Sequence, residues 1–159
     1  MNWANKNGIV ALILASDEGH VEAVRLLLSA GADRILAGDN GFTALMAASC
    51  KGHVEIVRAL VDAGADKDFA DNQGDTALMT ASCKGHIEVV RMLLDCGAAK
   101  NVANKDGSTA LLLAFEFGQA EVLDLLLDAG AKFSTKRRCH KAEFSSSKRR
   151  RPKSAASEG

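Results

Sequence analysis

The residues best equipped for metal, redox or acid-base chemistry are Cys50, Cys83, Cys96 and Cys139, together with His20, His53 and His86. Their spacing argues against each of those chemistries. No two cysteines form the C-x-x-C pair that structural zinc sites use. Cys50 and Cys83 occupy equivalent places 33 residues apart, so packed helices would hold them about 8–10 Å apart, beyond the ~7 Å that a disulfide spans. Buried or half-buried structural thiols in a reducing compartment are the expectation. The histidines stand at one register, in His20-Val21-Glu22, His53-Val54-Glu55 and His86-Ile87-Glu88, and no nucleophile and carboxylate recur beside them in the pattern of a triad. They read as structural. No G-x-x-x-x-G-K-[ST] run exists to cradle a phosphate. The sequence therefore predicts no catalytic residue, metal or cofactor, and a chain that is not an enzyme.

The register shared by these residues is a 33-residue period. Gly8, Gly41, Gly74 and Gly107 are spaced by it, as are Gly19, Gly52, Gly85 and Gly118, and Gly31, Gly64, Gly97 and Gly130. Ala11-Leu12, Ala44-Leu45, Ala77-Leu78 and Ala110-Leu111 recur between them. Four units follow, 5–37, 38–70, 71–103 and 104–136, and the middle two share 20 of 33 residues without a gap. Fixed periods of this size are the mark of stacked repeats.

Each unit reads as turn, helix, turn, helix. Thr43 can cap a helix from Ala44 to about Lys51 by offering its hydroxyl to an orphan N–H of the first turn, and Gly52 ends it in the left-handed conformation. A second helix, about Val54 to Ala63, places Val54, Val57, Leu60 and Val61 at helical spacing, and Glu55, Arg58 and Asp62 off that face. Asn40-Gly41 marks a tight turn between units. Helices of about ten residues are not stable alone in water, so stacking must supply the core.

These residues resemble the ankyrin repeat, whose pattern is roughly G-x-T-P-L-H-x-A-A followed by G-H-x-E-x-V-x-x-L-L-x-x-G-A-D. Gly41, Thr43, Leu45, Ala48, Gly52, His53, Glu55, Val57, Leu60, Gly64, Ala65 and Asp66 carry the match, with equivalents in the other units. The resemblance implies an all-α solenoid of helix-turn-helix units whose turns project as β-hairpin fingers, with the first helices lining a concave face that binds other proteins. It also exposes departures. The family's Pro and His are lost in Thr43-Ala44-Leu45-Met46, Thr76-Ala77-Leu78-Met79 and Thr109-Ala110-Leu111-Leu112, which removes the preset φ that favours Pro at a first helical position. Val10 replaces the capping Thr, so unit one is expected to be the frayed end. The last second helix, Ala120 to Leu127, carries Leu123, Leu125, Leu126 and Leu127 where a terminal unit should be polar. Residues 131–134, a partner, a second copy or further units of a longer array are the candidate covers.

Subtracting the framework leaves the finger tips and the outer ends of the first helices. By resemblance the protein-binding residues are Lys6, Asn7, Ile9, Asp17 and Glu18; Asp39, Asn40, Phe42, Cys50 and Lys51; Asn72, Gln73, Asp75, Cys83 and Lys84; and Lys105, Asp106, Ser108, Glu116 and Phe117. Phe42 and Phe117 stand out, since aromatic anchors in polar surroundings are typical of binding hot spots. Phe42→Ala is expected to weaken binding more than folding, unless the ring packs against a neighbouring finger.

Charge divides the chain. Residues 1–135 hold eleven basic and eighteen acidic residues, 11 − 18 = −7, and residues 136–159 hold nine and two, 9 − 2 = +7. The first part is the predicted repeat array and the second a disordered basic tail. Lys136-Arg137 and Lys148-Arg149-Arg150-Arg151-Pro152-Lys153 are spaced like a bipartite nuclear import signal that an import receptor could hold, and nucleic acid could be met through the tail only. The longest apolar run, Ile9 to Ala15, is far short of the ~20 residues that span a bilayer, and the N-terminus lacks a signal-peptide pattern. The reading is a monomeric protein-binding scaffold or adaptor in nucleus or cytoplasm. Its alternatives are a nucleic-acid-associated factor and a fragment of a larger ankyrin-containing protein.

Overall fold

The structure is a computed structural model that describes residues 3–33 and 37–133. Eight helices form among them: α1 (Trp3–Asp17), α2 (Val21–Ser29), α3 (Ala44–Lys51), α4 (Val54–Asp62), α5 (Ala77–Lys84), α6 (Ile87–Asp95), α7 (Ala110–Glu116) and α8 (Ala120–Asp128). The odd helices pack in one row, α1 on α3 on α5 on α7, the even helices in a second, and each even helix lies on its own odd partner. The described residues thus form a two-layered one-dimensional stack, in which each unit packs chiefly on its neighbours.

Local chemistry sets the helix limits. Thr43, Thr76 and Thr109 lie in extended backbone and their Oγ1 atoms accept from the N–H groups of Met46 (3.2 Å), Met79 (3.4 Å) and Leu112 (3.3 Å). The even helices close with a Schellman arrangement: Ala65 N–H donates to the Leu60 carbonyl (2.9 Å) and Gly64 N–H to that of Val61 (2.9 Å), and the same pair of bonds closes α6 and α8. Odd helices are rich in Ala and Ser, which lets their backbones approach. Even helices contribute branched chains, and Ile56, Val57, Leu60, Val89, Val90 and Leu93 are all fully buried between the rows.

Unit one departs from the expected order. Instead of a turn before Ala11, α1 runs without a break through Lys6, Asn7, Gly8 and Ile9. Val10 offers no oxygen to cap Ala11–Ile13, and carrying the helix back toward Trp3 gives those N–H groups main-chain carbonyls instead, which outweighs the ~1 kcal/mol cost of a helical glycine.

The fingers are built from turns, and no strand is formed among the described residues. Gly38 N–H donates to the Phe42 carbonyl (2.9 Å), Asp71 to Asp75 (3.0 Å) and Asn104 to Ser108 (3.0 Å). Side chains tie the tips down: Asp71 Oδ1 accepts from Gln73 and Asp75 N–H, and Asn104 Oδ1 from Asp106 and Ser108 N–H, the local bonding that favours Asx residues in turns. One main-chain bond joins each finger to the next, Asn72 N–H to the Asn40 carbonyl (3.0 Å) and Lys105 N–H to that of Gln73 (2.9 Å). Among the described residues no helix is long and apolar enough to cross a membrane. The tail, with its predicted disorder, and Cys139 lie outside the described residues.

Candidate functional site

The histidine register proves to be a joint between units. The Nε2–H of His53 donates to the Asp17 carbonyl (3.1 Å), that of His86 to the Cys50 carbonyl (2.8 Å), and in the last unit Gln119 Nε2 donates to the Cys83 carbonyl (3.2 Å). Each bond satisfies a carbonyl at the C-terminal end of the preceding odd helix, where no intrahelical donor remains. Glycine is needed beneath the ring: a Cβ on Gly52 would sit 2.6 Å from His86 Nδ1, and one on Gly19 2.8 Å from the ring of His53. Bonded in this way, the two rings tie each unit to the one before it.

A second ladder crosses the loops after the even helices. Asp68 Oδ1 accepts from Ala99 N–H (2.7 Å) and Asn101 Oδ1 from Lys132 N–H (2.9 Å). The sequence gives little sign of this pair, since Asp and Asn in a loop usually serve their own turn.

With the units fixed, the side formed by α5, α7 and their fingers opens into a groove of about 410 Å³. Eight residues picked from the sequence meet there: Cys50, Asp75, Cys83, Lys84, Asp106, Ser108, Glu116 and Phe117. Met79, Thr80, Asn104 and Leu113 line it as well and were not anticipated. Thr80 and Leu113 could have been found, because they share a register that varies from unit to unit (Ala47, Thr80, Leu113) and lie three and four residues before positions already chosen, hence on the same helix face.

The other chosen residues lie elsewhere. Lys6, Asn7 and Ile9 are on α1 and not on a finger. Asp39, Asn40, Asn72, Gln73 and Lys105 are exposed on or beside the finger tips. Asp17 and Lys51, at the ends of α1 and α3, approach to 3.5 Å, an exposed pair of the kind worth at most ~1 kcal/mol, and Glu18 beside them is exposed. The two phenylalanines differ sharply: Phe42 is half-buried and packs against the core, so its truncation carries a folding cost, whereas Phe117 is 59% exposed on the groove wall. The import-signal residues Lys136, Arg137, Lys148, Arg149, Arg150, Arg151 and Lys153 lie outside the described residues.

Three acidic residues, Asp75, Asp106 and Glu116, line this groove together with one lysine, Lys84. Asp75 is held in place by Asn104, whose Nδ2 donates to its Oδ1 (2.7 Å). Cys50, Cys83 and Cys96 are free thiols, the first two half-buried and Cys96 exposed at the end of α6. Burial pushes the Cys83 thiol above its ordinary range, Lys84 pulls it down, and Cys50 and Asp75 push it further up. Since the thiolate is the nucleophile, raising the pKa moves the pH needed for reaction upward. Iodoacetamide at neutral pH is expected to label Cys96 several-fold faster than Cys83, and the Cys83 rate should catch up as pH rises above about 9. Peptide mapping by mass spectrometry reads both rates. Equal labelling at pH 7 would contradict the arrangement.

A family model described as ankyrin repeats (3 copies) matches residues 1–71 and again residues 63–137. Among curated proteins, none matches the chain.

Proposed function

From the premise that this chain belongs to the ankyrin-repeat family, a family of protein–protein interaction modules, we propose that it is a non-enzymatic scaffold or adaptor that holds a segment of a protein partner in the groove between units three and four. The observation that carries this reading is the convergence on one rigid wall of an exposed aromatic ring, Phe117, with three carboxylates against a single cation. Such a wall suits a partner segment bearing Lys or Arg beside an apolar side chain, because a cation is attracted both by the carboxylates and by the face of the ring. The test is capture of a partner with the full chain, followed by titration of that partner against Phe117→Ala. An exposed ring contributes little to folding, so the melting temperature should move by no more than about 1–2 °C, while affinity falls at least about tenfold. Unchanged affinity would remove the groove from the interface.

The basic clusters 136–137 and 148–153 fit import into the nucleus as the setting of that role, since two cationic runs separated by ten residues can occupy two acidic pockets at once. A fluorescent fusion of the full chain is expected to lose its nuclear enrichment when Arg149, Arg150 and Arg151 are changed to Ala. Enrichment that survives the change argues against the signal.

A further inference from the structure

Several registers change character in the last unit. Ser16, Ser49 and Ser82 are fully buried at one position of the odd helices, whereas Phe115 occupies it in α7 and is 62% exposed. Val24, Val57 and Val90 are fully buried in the even helices, and their counterpart Leu123 is only half-buried. Leu127 is exposed where Val61 and Leu94 are half-buried. In the inner units the following unit closes these positions, so Phe115, Leu123 and Leu127 mark the end face of the stack. Phe115 also puts bulk where inner odd helices approach one another through serine. A further unit stacked in the same way would meet that ring.

The charge pattern changes on the same helix. Arg25, Arg58 and Arg91 stand three residues after Glu22, Glu55 and Glu88 in α2, α4 and α6, but α8 has Asp124 three residues after Glu121, with Asp128 a turn further on. Spacing of three and four residues puts these carboxylates in one stripe, all three are exposed, and α8 carries no cation.

We propose that the chain's own residues 134–159 dock on the last unit, across this end face and the exposed flank of α8 beside it, setting the clusters 136–138 and 148–153 against Glu121, Asp124 and Asp128 on the flank, and Phe144 against Phe115, Leu123 and Leu127 on the face. The segment follows closely on the last unit: Ala131 N–H is bonded to the Leu126 carbonyl of α8 (2.9 Å) and Lys132 N–H to Asn101 Oδ1 (2.9 Å), which fixes the chain two residues before it begins. Its reach is ample, since the 15 residues from Phe133 to Lys148 span up to about 50 Å and α8 is only about 14 Å long. It lacks the Gly and Thr-Ala-Leu framework of the units, so it covers the face as a strap and not as a fifth repeat. Nine basic residues against two acidic ones complement the stripe. Tethering raises the local concentration to the millimolar range, so modest contacts suffice.

The test is limited trypsin cleavage at the tail's Lys and Arg residues in the full chain, with the free peptide 134–159 as reference. At about 20 mM salt, cleavage in the chain is expected to be about tenfold slower than in the peptide, and the two should converge at about 500 mM salt, where exposed charges are screened. The triple change Glu121→Gln, Asp124→Asn and Asp128→Asn should remove the protection at low salt while leaving the melting curve in place, because all three side chains are exposed. Leu127→Gln should reduce the protection in part. Equal rates at low salt overturn the proposal, as does protection that survives the triple change. Protection that instead grows with protein concentration assigns the face to a second copy, and protection lost on neutralising Asp75 and Asp106 assigns the tail to the groove. Both results overturn it too.

Discussion

Leu60→Ala should cost about 3–4 kcal/mol and break the array at its middle. Leu60 is fully buried, at 0% accessibility, in the layer between α3 and α4 and the units on either side. Truncation removes three methylene-sized groups' worth of apolar burial and leaves a cavity that two stacked rows cannot collapse without moving backbone, the situation in which Leu→Ala changes reach the upper part of their range. The architecture adds a consequence. Because units are coupled only to nearest neighbours, a lesion in unit two weakens both of its interfaces, and the stack should stop unfolding as one body. Urea titration followed by circular dichroism is expected to show a lower midpoint and a smaller slope. Leu127→Ala is the control, since that side chain is 42% exposed at the end of the stack and should cost only about 1–1.5 kcal/mol. Similar losses from the two changes would contradict the stacked arrangement.

Gly52→Ala should cost about 2–3 kcal/mol, against about 1 kcal/mol for Gly97→Ala. Both glycines have φ in the left-handed region, +78° and +79°, where an L side chain pays about 1 kcal/mol or somewhat more. Nothing lies within 4 Å of a Cβ on Gly97, whereas a Cβ on Gly52 would stand 2.6 Å from His86 Nδ1. The ring would have to leave, and with it the bond to the Cys50 carbonyl, worth about 1 kcal/mol net. The difference between the two variants therefore measures the inter-unit joint. In a His86→Ala background Gly52→Ala should cost little more than Gly97→Ala, and His86→Gln should be mild, because Gln119 makes the same bond in the last unit. Thermal or urea melts of the four proteins give the coupling. No difference between Gly52→Ala and Gly97→Ala would show that the histidine is not a joint.

Both experiments bear on function through rigidity. A groove whose walls belong to α5, α7 and two fingers binds only if those elements hold their spacing, and that spacing is set by the buried layer, the histidine and glutamine joint and the single bonds between fingers. Preorganisation of this kind lowers the entropy lost on binding.

Much of the fold was legible in the residues. The 33-residue period, the threonine caps and the glycine stops are local signals, each acting within about four residues of itself, so no knowledge of neighbouring units is needed to read them. The candidate surface was legible to the extent that it is periodic: the positions not claimed by the framework include eight of the groove's lining residues. Val10 was legible only as a missing cap. That its loss would send α1 back to Trp3 depended on competition between a turn and a longer helix, and nothing in one unit's pattern decides that.

Tertiary structure decided the rest, because it depends on which atoms of one unit meet those of the next. Phe42 and Phe117 are the same residue type at the edge of similar units, yet packing against the core half-buries one and leaves the other on the groove wall. The histidines had the register of a lattice position in the sequence, but the carbonyl 36 residues earlier that each one bonds becomes a neighbour only when units stack. Phe115 reads as one more apolar residue in a helix until the burial of Ser49 and Ser82 shows that its register faces the next unit. Sequence alone thus determined the repeating unit, since caps, turns and amphipathic spacing are short-range. Contact between units determined the surfaces, since burial is a property of pairs.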